Sequence, residues 1–158
     1  MRSTVRPEPW QPRGEAMSKK LLLITADPVL ATAYRARFIR EGFEVEHHVS
    51  GHEALARARR WIPDLILLDV TLPGMSGLEV LKWLRDVPWL VQVPTLLLIE
   101  HTLAPDVLQE CLFWGAAGYL EKDHTSLHEL VACARAVLHQ AAARAARLHK
   151  PATASSSS

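Results

Sequence analysis

The sequence predicts an α/β domain, a parallel sheet of five strands flanked by five helices, on two observations. Short apolar runs alternate with helical segments along the chain, and the connections between them are short, as in successive βα units. Residues 65–68 are apolar at every position, which is typical of a strand buried on both faces of a parallel sheet. Asp69 follows this run, at the carboxyl end of a strand, where open α/β sheets bind their ligands. A carboxylate there is costly to bury unless a cation, a hydrogen-bond donor or chemistry keeps it.

The individual elements follow from local signals. Strands are predicted at residues 21–25, 43–49, 65–68, 95–99 and 118–121. Helices are predicted to begin at Asp27-Pro28, about His52, Leu78, Pro105 and Ser126. Asp27 is a typical N-cap with proline at the first helical position, and Ser126 forms a capping box with Glu129. These signals place the helix starts, whereas periodicity alone does not give the order of the strands across the sheet.

Three regions are predicted along the chain. Residues 1–17 hold three prolines and three arginines and few apolar residues, so we expect a disordered leader before a folded domain at residues 18–140. Residues 141–158 are predicted to be a helix extension and a disordered tail that ends in four serines. The alanine-rich sequence allows the last helix to run to about Lys150. A helix that outlasts its domain needs a partner or frays, so a solvated end and an oligomer or partner contact both stay open.

Composition limits the class of protein. The chain has 158 residues, 49% hydrophobic and 22% charged, with a formal net charge of +1, which suits one globular domain and gives no general attraction to nucleic acid. No apolar run approaches the roughly 20 residues that cross a bilayer, and the amino terminus lacks the apolar core of a signal peptide. We therefore expect a cytoplasmic protein that binds neither nucleic acid nor membrane. Cys111 and Cys133 are expected to be reduced thiols.

The segment from Pro63 to Gly77 is the most specific motif in the chain. It closely resembles the phosphoacceptor segment of bacterial response-regulator receiver domains, with the sequence P-D-L-I-L-L-D-V-T-L-P-G-M-S-G. The resemblance extends over about residues 19–139. It implies a flavodoxin-like fold with strand order 2-1-3-4-5, in a domain that is no enzyme beyond its own phosphorylation and dephosphorylation. It also implies that Asp69 accepts a phosphoryl group from a histidine kinase or a histidine phosphotransfer protein.

Three further positions match the pattern of that family. Lys122, in G-Y-L-E-K, matches the lysine that contacts the phosphoryl group, and the backbone carbonyl of Thr71 matches a ligand of the divalent cation. Tyr119 falls at the aromatic position whose ring rotation reports phosphorylation. The residues also allow plainer roles. Asp69 could cap a turn, Lys122 could be a surface lysine, and Tyr119 could be a half-buried strand residue.

The cation site of the family is incomplete in this sequence. Two acidic residues normally follow the first strand, but an ungapped alignment places Thr25 and Ala26 there, and neither supplies the carboxylate that Mg²⁺ prefers. Asp27 lies one residue too late and is needed as an N-cap, so it is the weakest candidate ligand. Ile99 occupies the place of the phosphoryl-binding hydroxyl, and Glu100 replaces a small residue and would repel a phosphate. We expect Mg²⁺ binding at the acceptor to be weak.

These losses favour a stand-alone atypical receiver in two-component-type signalling, one that acts mainly as a protein-interaction module with impaired Mg-dependent phosphorylation. Its contact surface is predicted on the fourth helix, fifth strand and fifth helix, where Phe113, Trp114 and Tyr119 are expected to cluster. That surface would bind an unidentified protein or form a homodimer. The alternative is a phosphorylatable single-domain response regulator in a phosphorelay, with Asp69 as the acceptor. A flavodoxin-like cofactor-binding domain or small enzyme is a third hypothesis, which the lack of a phosphate-binding loop disfavours.

Overall fold

The computed structural model describes residues 18–148, and its centre is a sheet of five parallel strands. The strands are β1 (Lys20–Ile24), β2 (Glu44–His48), β3 (Leu65–Asp69), β4 (Thr95–Ile99) and β5 (Gly118–Glu121). The helices are α1 (Pro28–Arg40), α2 (Gly51–Arg60), α3 (Gly77–Arg85), α4 (Pro105–Phe113) and α5 (Leu127–Leu148). The strands lie in the order β2-β1-β3-β4-β5, and every neighbouring pair is parallel. The predicted fold class and strand order are therefore confirmed.

Most element bounds lie within two residues of the predicted ones, and α2 shows why they differ. This helix begins at Gly51, one residue before the predicted start, because Ser50 is its N-cap. The Ser50 hydroxyl accepts a hydrogen bond from the backbone N–H of Glu53, and the sequence analysis overlooked this signal. The leader predicted at residues 1–17 and the tail predicted after the helix extension lie outside the described residues.

Side chains at the carboxyl edge of the sheet fix the starts of the helices there. Asp27 accepts hydrogen bonds from the backbone N–H groups of Val29 and Leu30 and so caps α1, as predicted. Ser76 and Glu79 form a capping box at α3. All residues of β3 and β4 are buried, as expected for strands covered by helices on both faces. The strand ends and helix starts around β3 are thereby held in a defined arrangement.

Two hydrophobic cores lie on opposite faces of the sheet. α1 and α5 cover one face, where Phe38 and Leu130 are fully buried. α2, α3 and α4 cover the other, where Leu81 and Cys111 are fully buried. Cys111 is a free thiol, as is the half-buried Cys133, and burial raises the pKa of both thiols.

α5 is longer than the face that it covers. Its first half packs with α1, whereas Ala141 and Ala145 pack with the core of the opposite face, and Ala145 is only 2% exposed. The helix thus reaches round the amino-terminal edge of the sheet. The predicted extension is present as far as Leu148, and it is packed on its own domain, which is neither of the arrangements that the sequence left open. None of the described helices, α5 included, is long and apolar enough to cross a membrane.

Candidate functional site

Asp69 lies at the carboxyl end of β3 and is almost completely enclosed, with a side chain 3% exposed. Its Oδ2 accepts hydrogen bonds from the Thr25 hydroxyl and from Nζ of Lys122, each at 2.8 Å. Its Oδ1 accepts one from the backbone N–H of Thr71 at 3.0 Å. The structure therefore brings Lys122 and Thr71 into direct contact with Asp69. The contact of Thr71 is through its N–H, whereas the sequence had singled out its carbonyl as a cation ligand.

Lys122 follows β5, and its ammonium group lies between two carboxylates. Its backbone N–H donates to the carbonyl of Ile99 at 2.9 Å, which continues the pairing of β4 with β5. Its side chain is 11% exposed and forms a 2.8 Å ion pair with Asp69 and a 3.7 Å pair with Oε1 of Glu100. The Glu100 side chain is half exposed, so the pair with Asp69 is the buried one. A buried ion pair needs further hydrogen bonds to offset its desolvation, and the two other donors to Asp69 supply them.

Thr25 is a site residue that the sequence analysis treated only as a lost cation ligand. β1 lies beside β3 with Ile24 paired to Leu68, so the next residues, Thr25 and Asp69, face each other at the carboxyl edge. Thr25 is fully buried, and Nε2 of His47 donates to its carbonyl oxygen at 2.8 Å. The parallel register of the first and third strands was the signal that could have revealed this contact.

The end of β4 offers no hydroxyl group to the acceptor. Ile99 is buried and apolar at the position where the resemblance predicts Ser or Thr. β1 and β4 flank β3 on its two sides, and the hydroxyl that does contact Asp69 belongs to Thr25, beyond the end of β1. A hydroxyl group therefore stands on the side of the acceptor where the family pattern has carboxylates.

The residues around Asp69 do not suit a divalent cation. Asp27 is exposed, and its Oδ1 accepts backbone hydrogen bonds at 3.0 and 3.2 Å within α1, so this carboxylate is engaged as a helix cap. The two side chains in contact with Asp69 are a hydroxyl and an ammonium group that donate to it, whereas Mg²⁺ requires several oxygen ligands in near-octahedral geometry. Within residues 18–148, no three His, Cys, Asp or Glu side chains are grouped closely enough to hold a metal ion.

Tyr34, on the buried side of α1, is a second residue whose relation to the acceptor the sequence analysis missed. Helical periodicity accounts for it as a core residue only. Burial, and after it the negative charge of Asp69, raises the pKa of the Tyr34 hydroxyl, and Asp123 and Asp27 act in the same direction. The phenol is therefore neutral at physiological pH and adds no charge to this edge of the sheet.

Phe113, Trp114 and Tyr119 occupy different environments. The rings of Phe113 and Trp114 touch edge to face, with centroids 6.1 Å apart, and Phe113 is 82% exposed. Trp114 is half-buried against the core of the α2–α3–α4 face, and Nζ of Lys82 on α3 lies 5.5 Å from its ring centroid. Tyr119 is 46% exposed on β5 and contacts no other aromatic ring in the described part of the chain. Trp114 thus belongs to the packing of α3 with α4, while Phe113 and Tyr119 face solvent.

The loop between β3 and α3 is closed by a backbone contact. The N–H of Gly77 donates to the carbonyl of Val70 at 3.0 Å. A Cβ on Gly77 would lie 2.6 Å from Cα of Val70 and 2.8 Å from the carbonyl oxygen of Asp69, which is too close for any residue with a side chain. Glycine is required here for close approach of two backbones, and it holds the start of α3 against the end of the acceptor strand.

Comparison with known proteins agrees with this geometry. The family model for the response regulator receiver domain matches residues 21–135. The chain belongs to the response-regulator receiver family. This match confirms the resemblance seen in the phosphoacceptor segment. Receiver domains are modules of two-component signalling and not classical enzymes.

Relatives of this receiver domain include both long and short proteins. It is 37% identical over 124 residues to the virulence-factor positive transcription regulator BvgA of Bordetella pertussis, which covers 77% of this chain and 57% of BvgA. It is 36% identical over 90 residues to the polar-differentiation response regulator DivK of Brucella ovis, covering 57% of this chain and 73% of DivK. It superimposes on the chemotaxis protein CheY4 of Vibrio cholerae with a TM-score of 0.70 and 30% identity, over 77% of this chain and 98% of CheY4. The chain thus spans little more than half the length of BvgA.

Proposed function

We propose that this receiver domain works mainly as a protein-interaction module in two-component-type signalling, with phosphorylation of Asp69 impaired. The observation that carries the proposal is the pair of 2.8 Å hydrogen bonds from Thr25 and Lys122 to one carboxylate oxygen of Asp69. Together with the Thr71 N–H on the other oxygen, they satisfy the carboxylate from within the protein. The unphosphorylated, cation-free form is then the stable working state.

The same contacts weaken Asp69 as a nucleophile. Attack on phosphorus uses a lone pair of the carboxylate, and the hydrogen bonds to Oδ2 lower its availability. The charge of Lys122 already neutralises the acceptor, so a divalent cation is poorly attracted to it. Such a cation normally neutralises the phosphoryl oxygens during transfer. Without it the barrier to phosphorylation is raised.

The product would also be poorly stabilised at this edge of the sheet. A phosphoryl group on Asp69 would add up to about two negative charges. Glu100 lies 3.7 Å from Nζ of Lys122, so its carboxylate would compete with the phosphoryl group for the ammonium group of Lys122. Ile99 supplies no donor to the phosphoryl oxygens. Both features favour the unmodified acceptor.

Phosphorylation by a small donor tests the proposal. The protein is incubated with acetyl phosphate, with and without Mg²⁺, and intact mass gives the fraction that has gained one phosphoryl group. We expect a minor fraction for the unaltered chain and no increase with Mg²⁺. The double variant Thr25→Asp, Ala26→Asp restores two carboxylates, so its modified fraction should rise at least about tenfold with Mg²⁺. Adding Asp69→Asn to that variant is the matched control and should abolish the gain.

The alternative function is a phosphorylatable response regulator in a phosphorelay, and the position of Asp69 at the carboxyl end of β3, where the resemblance places the acceptor, favours it. In that case acetyl phosphate with Mg²⁺, or a histidine kinase or phosphotransfer protein, should convert the unaltered chain completely. Complete conversion would refute the interaction-module proposal. A chain that resists conversion while its double variant accepts the phosphoryl group supports it.

The contact surface that we propose consists of α4, β5 and α5. Phe113 and Tyr119 are exposed aromatic side chains on this surface, and such residues commonly anchor protein interfaces. The partner on this surface would be a histidine kinase, a phosphotransfer protein, another signalling protein or a second copy of the chain. A cytoplasmic location is part of the same proposal.

A further inference from the structure

A cavity of about 440 Å³ opens at the amino-terminal edge of the sheet, at the end of the strands opposite Asp69. Its walls come from residues 91–94 before β4, from residues 115–117 before β5 and from the carboxyl-terminal half of α5. The family match ends at residue 135. The α5 wall is therefore formed by residues outside that match.

Arg85, the last residue of α3, supplies a positive charge to the cavity wall. Its guanidinium donates to the carbonyl oxygens of Val91 at 2.7 Å, Trp114 at 2.8 Å and Gly115 at 3.2 Å. These contacts are all with carbonyl groups, and no residue between 18 and 148 brings a carboxylate to it. The fork of a guanidinium has further N–H groups to offer an acceptor. Burial lowers the pKa of Arg85, as expected for a cation without a full counter-charge.

The α5 wall combines a stripe of apolar side chains with the polar side chains of Gln140 and Arg144. Val137, Ala141 and Ala145 are spaced four residues apart, so they share one face of the helix, and all three line the cavity. The two alanines are small and leave the space open. Arg144 lines the mouth of the cavity and is exposed, and it takes part in no ion pair within the described residues. Two guanidinium groups therefore border a space that is apolar along one stripe of α5 and polar elsewhere, where Gln92 and Gln140 also line it.

We infer that this cavity binds a small molecule with a compact apolar body and one oxyanion group, a carboxylate or a phosphate. The oxyanion pairs with Arg85 and Arg144, because guanidinium groups bind such groups through two parallel hydrogen bonds. The apolar body lies against the α5 wall. The volume falls in the range of about 300–1,000 Å³ that small-molecule sites occupy. The site is independent of phosphorylation, since Asp69 lies at the other end of the strands.

Arg85 also has a structural role, because its guanidinium holds the end of α4. The carbonyl groups of Trp114 and Gly115 follow the last turn of α4, where carbonyls lack partners within the helix. Gly115 has φ +91°, and a Cβ there would lie 3.2 Å from Nε of Arg85. Substitution of Arg85 would disturb the fold and the cavity together. Arg144, which is exposed, is the better residue to change.

Titration of the complete ¹⁵N-labelled chain with phenylacetate tests the inference. The backbone amide signals of Gly115, Ala116 and Ala117, which line the cavity, should shift and saturate with a dissociation constant of about 0.1–1 mM, as expected for a ligand of that size. Phenylacetamide has the same body without the charge and should bind at least about tenfold more weakly. Phenyl phosphate that binds more tightly than phenylacetate would identify phosphate as the preferred oxyanion. Inorganic phosphate that binds as tightly as either would overturn the requirement for an apolar body.

Arg144→Gln and Arg147→Gln form a matched pair of variants. Both residues are exposed near the end of α5, but only Arg144 lines the cavity. R144Q should weaken phenylacetate binding about tenfold, whereas R147Q should leave it unchanged. Ala141→Leu should abolish binding by filling the space. Equal affinities of the two arginine variants, equal binding of acid and amide, or shifts confined to the amides around Asp69 would overturn the inference.

Discussion

The hydroxyl of Thr25 lies 2.8 Å from Oδ2 of Asp69 and joins the ends of two neighbouring strands, β1 and β3. Thr25 is itself fixed, because its carbonyl accepts a hydrogen bond from His47 of β2 and its hydroxyl accepts one from the backbone N–H of Asp27. Polar contacts thus link the ends of β1 and β2 to the acceptor on β3. Carboxylates at the end of β1 would repel Asp69 unless a cation were bound. A threonine there stabilises the acceptor without one.

Thr25→Val should destabilise the domain by about 1–3 kcal/mol, because it removes a buried donor while keeping a β-branched shape. Asp69 would keep its ion pair with Lys122 but lose one of the hydrogen bonds that offset its burial. Urea denaturation measures the change in the free energy of unfolding. Thr25→Ser keeps the hydroxyl and should lose less. A larger loss in Thr25→Ser than in Thr25→Val would show that shape, and not the hydrogen bond, matters at this position.

Lys122→Met should cost about 3–5 kcal/mol at neutral pH, since it leaves Asp69 buried without a counter-charge. Asp69→Asn in the same background should recover most of that loss, because a neutral amide needs no counter-charge. A double-mutant cycle on urea denaturation data gives the coupling energy between the two side chains. Additive losses would mean that the 2.8 Å pair makes no net contribution to folding.

Ala145→Arg should destabilise the domain by about 2 kcal/mol or more, because the alanine is buried in the core of the α2–α3–α4 face. Ala146→Arg places the same change on the exposed side of the helix and should stay within about 0.5 kcal/mol. Thermal unfolding followed by circular dichroism compares the two variants. Similar melting temperatures would contradict the docking of the end of α5.

Glu46 and Arg57 form a two-point ion pair, with Nε and Nη2 of Arg57 at 2.7 and 2.6 Å from the two carboxylate oxygens. These hydrogen bonds hold the pKa of Glu46 below its ordinary value, and His48 acts in the same direction. A lowered carboxyl pKa stabilises the fold above the unfolded-state pKa, and this stability is lost as pH falls through the lower folded-state pKa.

Glu46→Gln should therefore cost at most about 1 kcal/mol at neutral pH and progressively less in acid. Urea denaturation at a series of pH values measures this. The same substitution in an Arg57→Gln background is the control, and its pH-dependent cost should be much reduced there. A cost that grows as the pH is lowered would have the wrong sign and would exclude the ion pair as its source.

Phe113→Ala should change the free energy of unfolding by no more than about 0.5 kcal/mol, because the ring is exposed. It should nevertheless weaken partner binding or self-association, which sedimentation and pull-down with a cognate kinase can measure. Trp114→Ala should instead destabilise the domain by about 2 kcal/mol, since that ring packs on the core beneath Lys82. A Phe113 variant that binds partners normally would remove the proposed surface from consideration.

Much of the fold was predictable because its signals are local. Asp27-Pro28 marks the start of α1 through two adjacent residues, and the run at residues 65–68 marks β3 through its unbroken apolarity. Strand order was available only from the family resemblance, since periodicity describes single elements. The docking of Ala145 could not be predicted, because it depends on where the end of α5 meets the opposite core in space.

The site was predictable where one residue defines a motif and not where two distant segments meet. Asp69 and Lys122 each lie in a recognisable stretch, whereas the contact with Thr25 arises only when β1 is placed beside β3. Trp114 was grouped with Phe113 because they are neighbours in sequence. Successive residues at a helix end point roughly 100° apart, which turns the tryptophan towards α3 and the phenylalanine to solvent.

Gly77 has no side chain, yet it sets the distance between Asp69 and the helix that follows. Its backbone contacts Val70 directly, so the two ends of the intervening turn lie next to each other. Insertions at the exposed residues Pro73 and Gly74 would therefore lengthen that turn without displacing either of its ends. A methyl group at position 77 would do the reverse, since it would leave the turn intact and push β3 and α3 apart.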